Sequence, residues 1–418
     1  MRILLGLSEI SGYYNSLNIG FKQLGYQCEF WQIYPHKFTY SKPESERLLV
    51  SLHQKLANMR SVSGIVLKLL LIIPMIFLRI IMLIQSLFLF DIFVFGFEES
   101  FLKLYDLPIL KLFGKKILLI YHGTDSRPPF MDGVIMHELA NKDISELARL
   151  CRIKKRRIIF AEKFSNWIID TPTQGLYHNS KFINWICIGW ARELPKSTKI
   201  DNSSMQILHC PSHRACKGSD YIESIVSEVK KEFPGLSFVT LEGVSNKEVL
   251  EAIRKSKIII DQSYSDIAMP GFAAEASSFC KPVLVGGYAQ DIWSKTTPEK
   301  FLPPTLFVKP DKMQATLKEL LRSEELCNST GQSCYDFLKD NWLPSDVASR
   351  FIAIFNNQIP EEWWLDPLDL DYVKGVGLDS ETVKKTCLKL LNAYGIKAFK
   401  LHPAAEKSLR QLTGESLK

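Results

Sequence analysis

Apolar residues between positions 1 and about 190 fall into short runs separated by longer amphipathic stretches. Ile3 to Leu7, Cys28 to Ile33, Ile92 to Phe97, Lys116 to Tyr121, Trp167 to Thr171 and Phe182 to Ile188 read as buried strands, with helices between them. The polar stretch Pro195 to Ser204 interrupts this alternation, and a new strand at Gln206 to Cys210 restarts it. The pattern predicts an α/β chain with one domain over 1–195 and a second over 205–330. In the second half, Asp220 with Glu223 and Ser245 with Glu248 have capping-box spacing. Ile222, Ile225, Val226 and Val229 follow the first pair at helical spacing, and Val249, Leu250 and Ile253 follow the second. Strands at Ser237 to Leu241 and Lys257 to Asp261 complete a βαβαβ order, half of a doubly wound sheet. Two such Rossmann-like domains in tandem predict a central cleft. Residues 331–357 read as a closing helix. Residues 358–418 form an extension of unassigned role, with one amphipathic helix through Val383, Cys387, Leu390 and Leu391.

Between Lys68 and Asp91 the pattern breaks, because Arg79 is the only charge among Leu, Ile, Phe and Met. The length approaches the roughly 20 residues a spanning helix needs. Arg79 at its middle would cost on the order of 3 kcal/mol in a bilayer, and Pro74 predicts a kink. Spanning would also leave the flanking strands on opposite sides of the membrane. Lys68 and Arg79 lie eleven positions apart, close to three helical turns, and so can share one polar stripe. The expectation is a helix over 65–90 docked in a membrane interface, the alternatives being a buried core helix and a spanning one.

Composition narrows the picture further. A length of 418 residues favours two domains. Lys plus Arg at 52 against Asp plus Glu at 45 gives +7, a mild bias toward phosphates or anionic surfaces. The nine cysteines are scattered and never form C-x-x-C, which speaks against a zinc site or disulfide framework and for a reducing cytoplasm. The opening apolar run turns polar at Ser8, Glu9 and Ser11, too soon for a secretory signal. Nucleic-acid binding is not expected, since the basic run Lys154 to Arg157 is short and lacks interleaved aromatics.

Three loops following predicted strands carry candidate chemistry, because ligands of parallel sheets bind at the carboxyl edge. Cys210-Pro-Ser-His-Arg-Ala-Cys-Lys-Gly218 places Arg214 and Lys217 beside a helix start that itself attracts phosphate, a diphosphate clamp, or else a surface loop with solvated charges. In Pro270 to Val285, Gly271, Ala273 and Ala274 permit close approach of a ligand to the backbone. Glu275 could accept two ribose hydroxyls there, or be an ordinary helix glutamate. His122-Gly-Thr-Asp125 with Arg127 could contact a sugar or phosphate, or be a loop histidine and a capping aspartate. Ser8 to Gly12 would line the same cleft.

At these residues the chain resembles the retaining GT-B glycosyltransferases, family 4-like, that build bacterial polysaccharides and surface glycans. The resemblance covers roughly residues 1–355 and rests on His209 to Gly218, Asp261-Gln262, Gly271-Phe272-Ala-Ala-Glu275-Ala276 with Lys281-Pro-Val283, and Asp91 to Gly96 with Tyr121 to Arg127. It implies a nucleotide diphosphate sugar as donor, bound without metal or other cofactor, and a glycan or lipid-linked acceptor at the cytoplasmic membrane face. Arg214 and Lys217 would then hold the diphosphate, with Gly218 beside them; Glu275 would bind the ribose and His122 the donor sugar. Ser8, Gly12, Asp125, Asp266, Gly271 and Phe272 would complete the donor site. Many members carry two acids eight positions apart, whereas here Ile267 stands eight before Glu275 and Asp266 is one residue off. A nucleotide-sugar epimerase and a catalytically silent glycan-binding protein are the rivals.

Overall fold

The computed structural model describes residues 1–34, 47–195 and 205–414, so most of the polar stretch 195–204 lies outside the described residues. The first lobe is built on β1 (Arg2–Leu7), β2 (Gln27–Gln32), β3 (Ile92–Gly96), β4 (Lys116–Ile120), β5 (Trp167–Asp170) and β6 (Phe182–Asn184). The second is built on β7 (Gln206–His209), β8 (Ser237–Thr240), β9 (Ile258–Ile260), β10 (Val283–Gly286) and β11 (Leu306–Val308). Strand orders are β6-β5-β4-β3-β1-β2 and β11-β10-β9-β7-β8, with every one of these pairs parallel. Helices cover both faces of such sheets, so β3 and β9 are wholly apolar and wholly buried. Loops from the carboxyl edges of the two sheets meet across a cleft, which is the GT-B arrangement of two doubly wound domains.

Right-handed crossovers decide which face each helix covers. The β1-to-β2 connection runs opposite to those from β2 to β3, β3 to β4 and β4 to β5. Helix Tyr13–Gln23 therefore lies on one face of the first sheet. The helical segment 65–89, helix Leu107–Leu112 and helix Ile144–Phe164 lie on the other.

Several expected elements take a different form. The strand expected over Phe182 to Ile188 stops at Asn184, whose side chain accepts the Ile186 N–H and starts a helical turn at Trp185–Ile188. The closing helix is two, Glu324–Asn341 and Pro344–Phe355, divided where Pro344 opens the second. That second helix returns to the first lobe and lies on helix Tyr13–Gln23, with Phe21 against Phe351 and Phe355. A Cβ on Gly20 would stand 2.0 Å from the Pro344 carbonyl oxygen, so only glycine allows this approach. Ser245 and Glu248 form the expected reciprocal capping box. Asp220 and Glu223 do not: helix Ser219–Lys230 starts from left-handed Gly218, and both carboxylates bind Arg214 instead.

The C-terminal extension belongs to the first lobe. Its strand β12 (Trp364–Leu365) pairs antiparallel with β6, and its helix Ser380–Tyr394 packs on helix Ile144–Phe164. In between, the chain threads the gap between lobes. Gly133 N–H donates to Val376 O (2.8 Å) on one side, and Gly377 N–H donates to Tyr264 O (2.8 Å) on the other.

The apolar segment breaks at Leu71 into helices Ile65–Leu70 and Ile72–Leu89, because Pro74 removes an N–H and crowds the preceding turn. Arg79 and Lys68 do not share an outward stripe, which corrects the expected geometry. Arg79 is buried and donates to Glu99 (2.8 Å), to the Tyr34 hydroxyl (2.5 Å) and to His53 (3.3 Å). Burial and the Arg79 charge push His53 down to about 4, keeping it neutral beneath the guanidinium. Met75, Leu78, Met82, Leu83 and Leu87 face the lobe, while Ile73, Phe77, Ile84 and Phe88 are exposed. By length and composition alone 65–89 could cross a membrane. However, β2 before it and β3 after it both pair with β1, so the segment leaves and rejoins one sheet.

Candidate functional site

In the first lobe the functional loops emerge from β1 and β4. Gly12, in the left-handed region (φ 80°), opens helix Tyr13–Gln23. The first N–H groups of that helix are already taken: Tyr13 donates to Ile10 O (2.9 Å), and the Glu9 carboxylate accepts from Tyr14 (3.1 Å) and Asn15 (3.0 Å), as well as from Ile10 just before the helix (2.8 Å). Ser8 lies half-buried just before it. After β4, Asp125 accepts the N–H groups of His122 (3.0 Å) and Gly123 (2.7 Å), which makes it the brace of the loop rather than a ligand group. Burial and the nearby Asp170 push its carboxyl up to about 7. His122 meets the Tyr14 hydroxyl at 2.9 Å through Nε2 and stands edge-on to Tyr13. Burial drives the imidazole down to about 3, so a neutral ring is presented at the cleft.

In the second lobe the loop after β7 folds as the short helix Arg214–Lys217, closed by left-handed Gly218, where a Cβ would strike Ser263 at 2.8 Å. Lys217 donates to Gln262 (2.7 Å) and lies 3.5 Å from Asp261. Arg214 points elsewhere. It is bound by Glu223, Asp220 and Glu242 together, three charge-assisted bonds that raise its pKa, so it does not join Lys217 at a shared anion position.

Glu275, buried on helix Gly271–Ser277, accepts from Asn246 (2.9 Å) and from Arg192 of the first lobe (3.3 Å). Burial raises its pKa, opposed by the Arg192 charge. Gly271 at the start of that helix faces Trp190 and Ser11, to which a Cβ would be 3.5 and 3.6 Å, and Phe272 beside it is half-buried.

Asp266 turns away from this cluster. Its carboxylate accepts from Arg127 (2.8 Å) and Gln174 (2.7 Å) of the first lobe, and Arg127 also binds Asp132 (2.9 Å). Burial opposes the charge on Arg127, but the two carboxylates outweigh it and raise its pKa. Asp266 is thus an inter-lobe clamp and does not stand in for the acid missing at Ile267. The Ile267 N–H is taken by Ser265 Oγ (3.2 Å).

The structure pairs Lys217 with Asp261 and Gln262, and Arg192 with Glu275, the two groups lying close enough for the Asp261 charge to raise the Glu275 carboxyl, with Trp190 linking through Tyr13 to His122. Arg192 Nε and Nη2 are buried without a hydrogen-bond partner, as are both Asp261 oxygens. Buried polar atoms in this state point to a ligand or water that would satisfy them. Sequence reasoning missed Arg192. Its signal was a cation at the end of Trp185 to Ala191, the apolar run that leaves the last parallel strand of the first lobe.

No protein-family model and no curated protein matches the sequence. Solved structures do resemble it. Staphylococcus aureus TarM, in complex with fondaparinux, alpha-GlcNAc-glycerol and UDP, is 12% identical over 67% of this chain with a TM-score of 0.45; the chain spans 59% of TarM. S. aureus MnaA with UDP is 12% identical over 86% of this chain and 98% of its own, at a TM-score of 0.46. HepE of Anabaena with UDP and glucose is 9% identical over 85% and 99%, at 0.47.

Proposed function

We propose that this chain is a metal-independent glycosyltransferase that moves a sugar, with retention, from a nucleotide diphosphate donor to a glycan or lipid-linked acceptor at the cytoplasmic face of a membrane. The observation that carries the reading is the pairing of half-buried Lys217 and Arg192 with buried Asp261 and Glu275, with Arg192 Nε and Nη2 lacking a hydrogen-bond partner, where the carboxyl edges of two parallel sheets meet. Glycosyl transfer needs its departing diphosphate neutralised, and fixed cations do this with no reorganisation during the reaction. Lys217 would exchange Gln262 for a phosphate oxygen, and Arg192 would offer Nε and Nη2. Glu275 would take ribose hydroxyls and neutral His122 would hydrogen-bond the donor sugar. The exposed apolar face of 65–89 supports delivery of the acceptor from a membrane.

Titration of the full chain with a panel of nucleotide sugars tests this. Charge-assisted bonds are worth about 1.5–3 kcal/mol, so Lys217→Ala should weaken donor binding about tenfold to a hundredfold. Unchanged affinity would remove Lys217 from the site, and transfer to an acceptor separates this reading from epimerisation and from binding without turnover.

A further inference from the structure

We propose that Tyr105–Phe113 is a second membrane-contact element, so that the first lobe docks on an anionic bilayer through a surface two helices wide. This rests on the membrane reading above and extends it to a stretch whose apolar run is too short to suggest docking by itself.

The topology puts helix Leu107–Leu112 on the same sheet face as the long apolar segment, carried by the next crossover along the sheet, and side-chain bonds tie the residues flanking the helix to the segment and its end. Lys115 Nζ donates to Phe90 O (2.8 Å) at the foot of the segment, and Arg79 Nη1 reaches Phe101 O (3.4 Å) midway along it. Helix Leu107–Leu112 is two-faced. Leu107 and Leu110 are fully buried, whereas Tyr105, Leu112 and Phe113 are 76%, 84% and 57% exposed. On the same sheet face the longer segment exposes Phe77, Ile84 and Phe88. Apolar side chains exposed on two successive elements of one sheet face exceed what scattered single residues would give, and mark an interaction site.

Charge selects the occupant. Between Arg47 and Lys116 the acidic residues are Asp91, Glu98, Glu99 and Asp106. Asp91 pairs with Arg2, Glu98 with Arg157 and Glu99 with Arg79, while buried Asp106 accepts from Ser100 and from the Phe101 and Leu102 N–H groups. Lys68, Lys103 and Lys111 are exposed on or just before the two apolar elements, Lys55 is exposed on helix Leu48–Val62, which packs on the longer one, and Arg152, Arg156 and Lys163 are exposed on helix Ile144–Phe164, which contacts helix Leu107–Leu112. On helix Ile144–Phe164, Glu146 pairs with Arg149 and Glu162 with His178, so the acids of these elements are engaged, and apolar side chains accompanied by exposed lysine and arginine fit lipid tails below and anionic headgroups around. A second copy packed on this face would set the same cations against one another.

Vesicle co-sedimentation of the full chain decides the matter, using phosphatidylcholine alone and phosphatidylcholine mixed with phosphatidylglycerol. Leu112→Ser with Phe113→Ser should weaken binding to the mixed vesicles at least about tenfold, because two apolar side chains no longer enter the interface. Their exposure leaves the fold intact, checked by circular dichroism. Lys103→Gln with Lys111→Gln should reduce the preference for phosphatidylglycerol. If the Leu112/Phe113 pair binds like the parent while Phe77→Ser with Phe88→Ser loses binding, the second element is overturned and the membrane reading stands. A parent chain that binds neither vesicle overturns both. A concentration-dependent dimer abolished by the Leu112/Phe113 pair would replace lipid with a second copy.

Discussion

Replacing Asp266 with alanine should open the cleft without unfolding either lobe. The side chain is 7% exposed, and its carboxylate accepts from Arg127 and Gln174 across the gap, with Thr173 at 3.4 Å. Its loss takes the acceptor from Arg127 Nη2 and from Gln174 Nε2. Breaking a buried ion pair from one side costs about 3–5 kcal/mol. Asp132 remains on Arg127, which places the expected cost toward the lower end of that range. At roughly 1.4 kcal/mol per tenfold, the open form should gain about a hundredfold or more over the closed one. The energy belongs to the contact between lobes, since Asp266 lies in the second lobe and both main donors in the first. Small-angle scattering should show an increased radius of gyration for Asp266→Ala, and donor affinity should fall although no donor-binding group has been touched. Addition of a saturating donor should restore compactness. Unchanged scattering together with unchanged donor affinity would refute the clamp and return Asp266 to consideration as a ligand group.

Arg192→Ala should weaken donor binding as Lys217→Ala does, whereas Arg214→Ala should leave it within about twofold, since Arg214 is engaged by three carboxylates; calorimetric titration of the three variants separates the assignments. Gly20→Val should lower the thermal midpoint measurably, because overpacking against the Pro344 carbonyl costs about 1–3 kcal/mol or more. His178 lies buried between Asp170 and Glu162, each at 2.9 Å; burial pulls its pKa down, but the two carboxylates raise it net above the usual histidine value. A raised folded pKa means a stabilisation fully present below about pH 6.5 and lost as pH rises through the folded value, so the thermal midpoint should fall on that side. NMR titration of the His178 ring finding an ordinary or depressed value would contradict this.

Much of the fold was legible from local pattern. The strands of a covered parallel sheet are unbroken apolar runs, so β1, β3, β4, β7 and β9 stand within a residue or two of where periodicity put them. The capping box at Ser245 was legible because both partners lie within one turn. The same spacing at Asp220 misled, since Arg214 competes for both carboxylates and Gly218 supplies the turn. Lys217 and His122 stand in the loops that follow β7 and β4, and Glu275 on the helix beyond β9, positions that the topology rule for parallel sheets lets a sequence nominate as candidates.

Which of those groups meet was decided only by the packing of one lobe on the other. Arg192 and Glu275 are separated by 83 residues, and Arg127 and Asp266 by 139, yet each pair meets across the cleft. Chain spacing carries no information about such contacts. The inward turn of Arg79 has the same origin: helical periodicity fixes which residues share a stripe, but Glu99, Tyr34 and His53 determine which stripe faces the protein. The extension after residue 358 was opaque for a related reason, because its strand and helices complete a surface made by residues 131–183, and amphipathicity shows that a face is covered without showing by what.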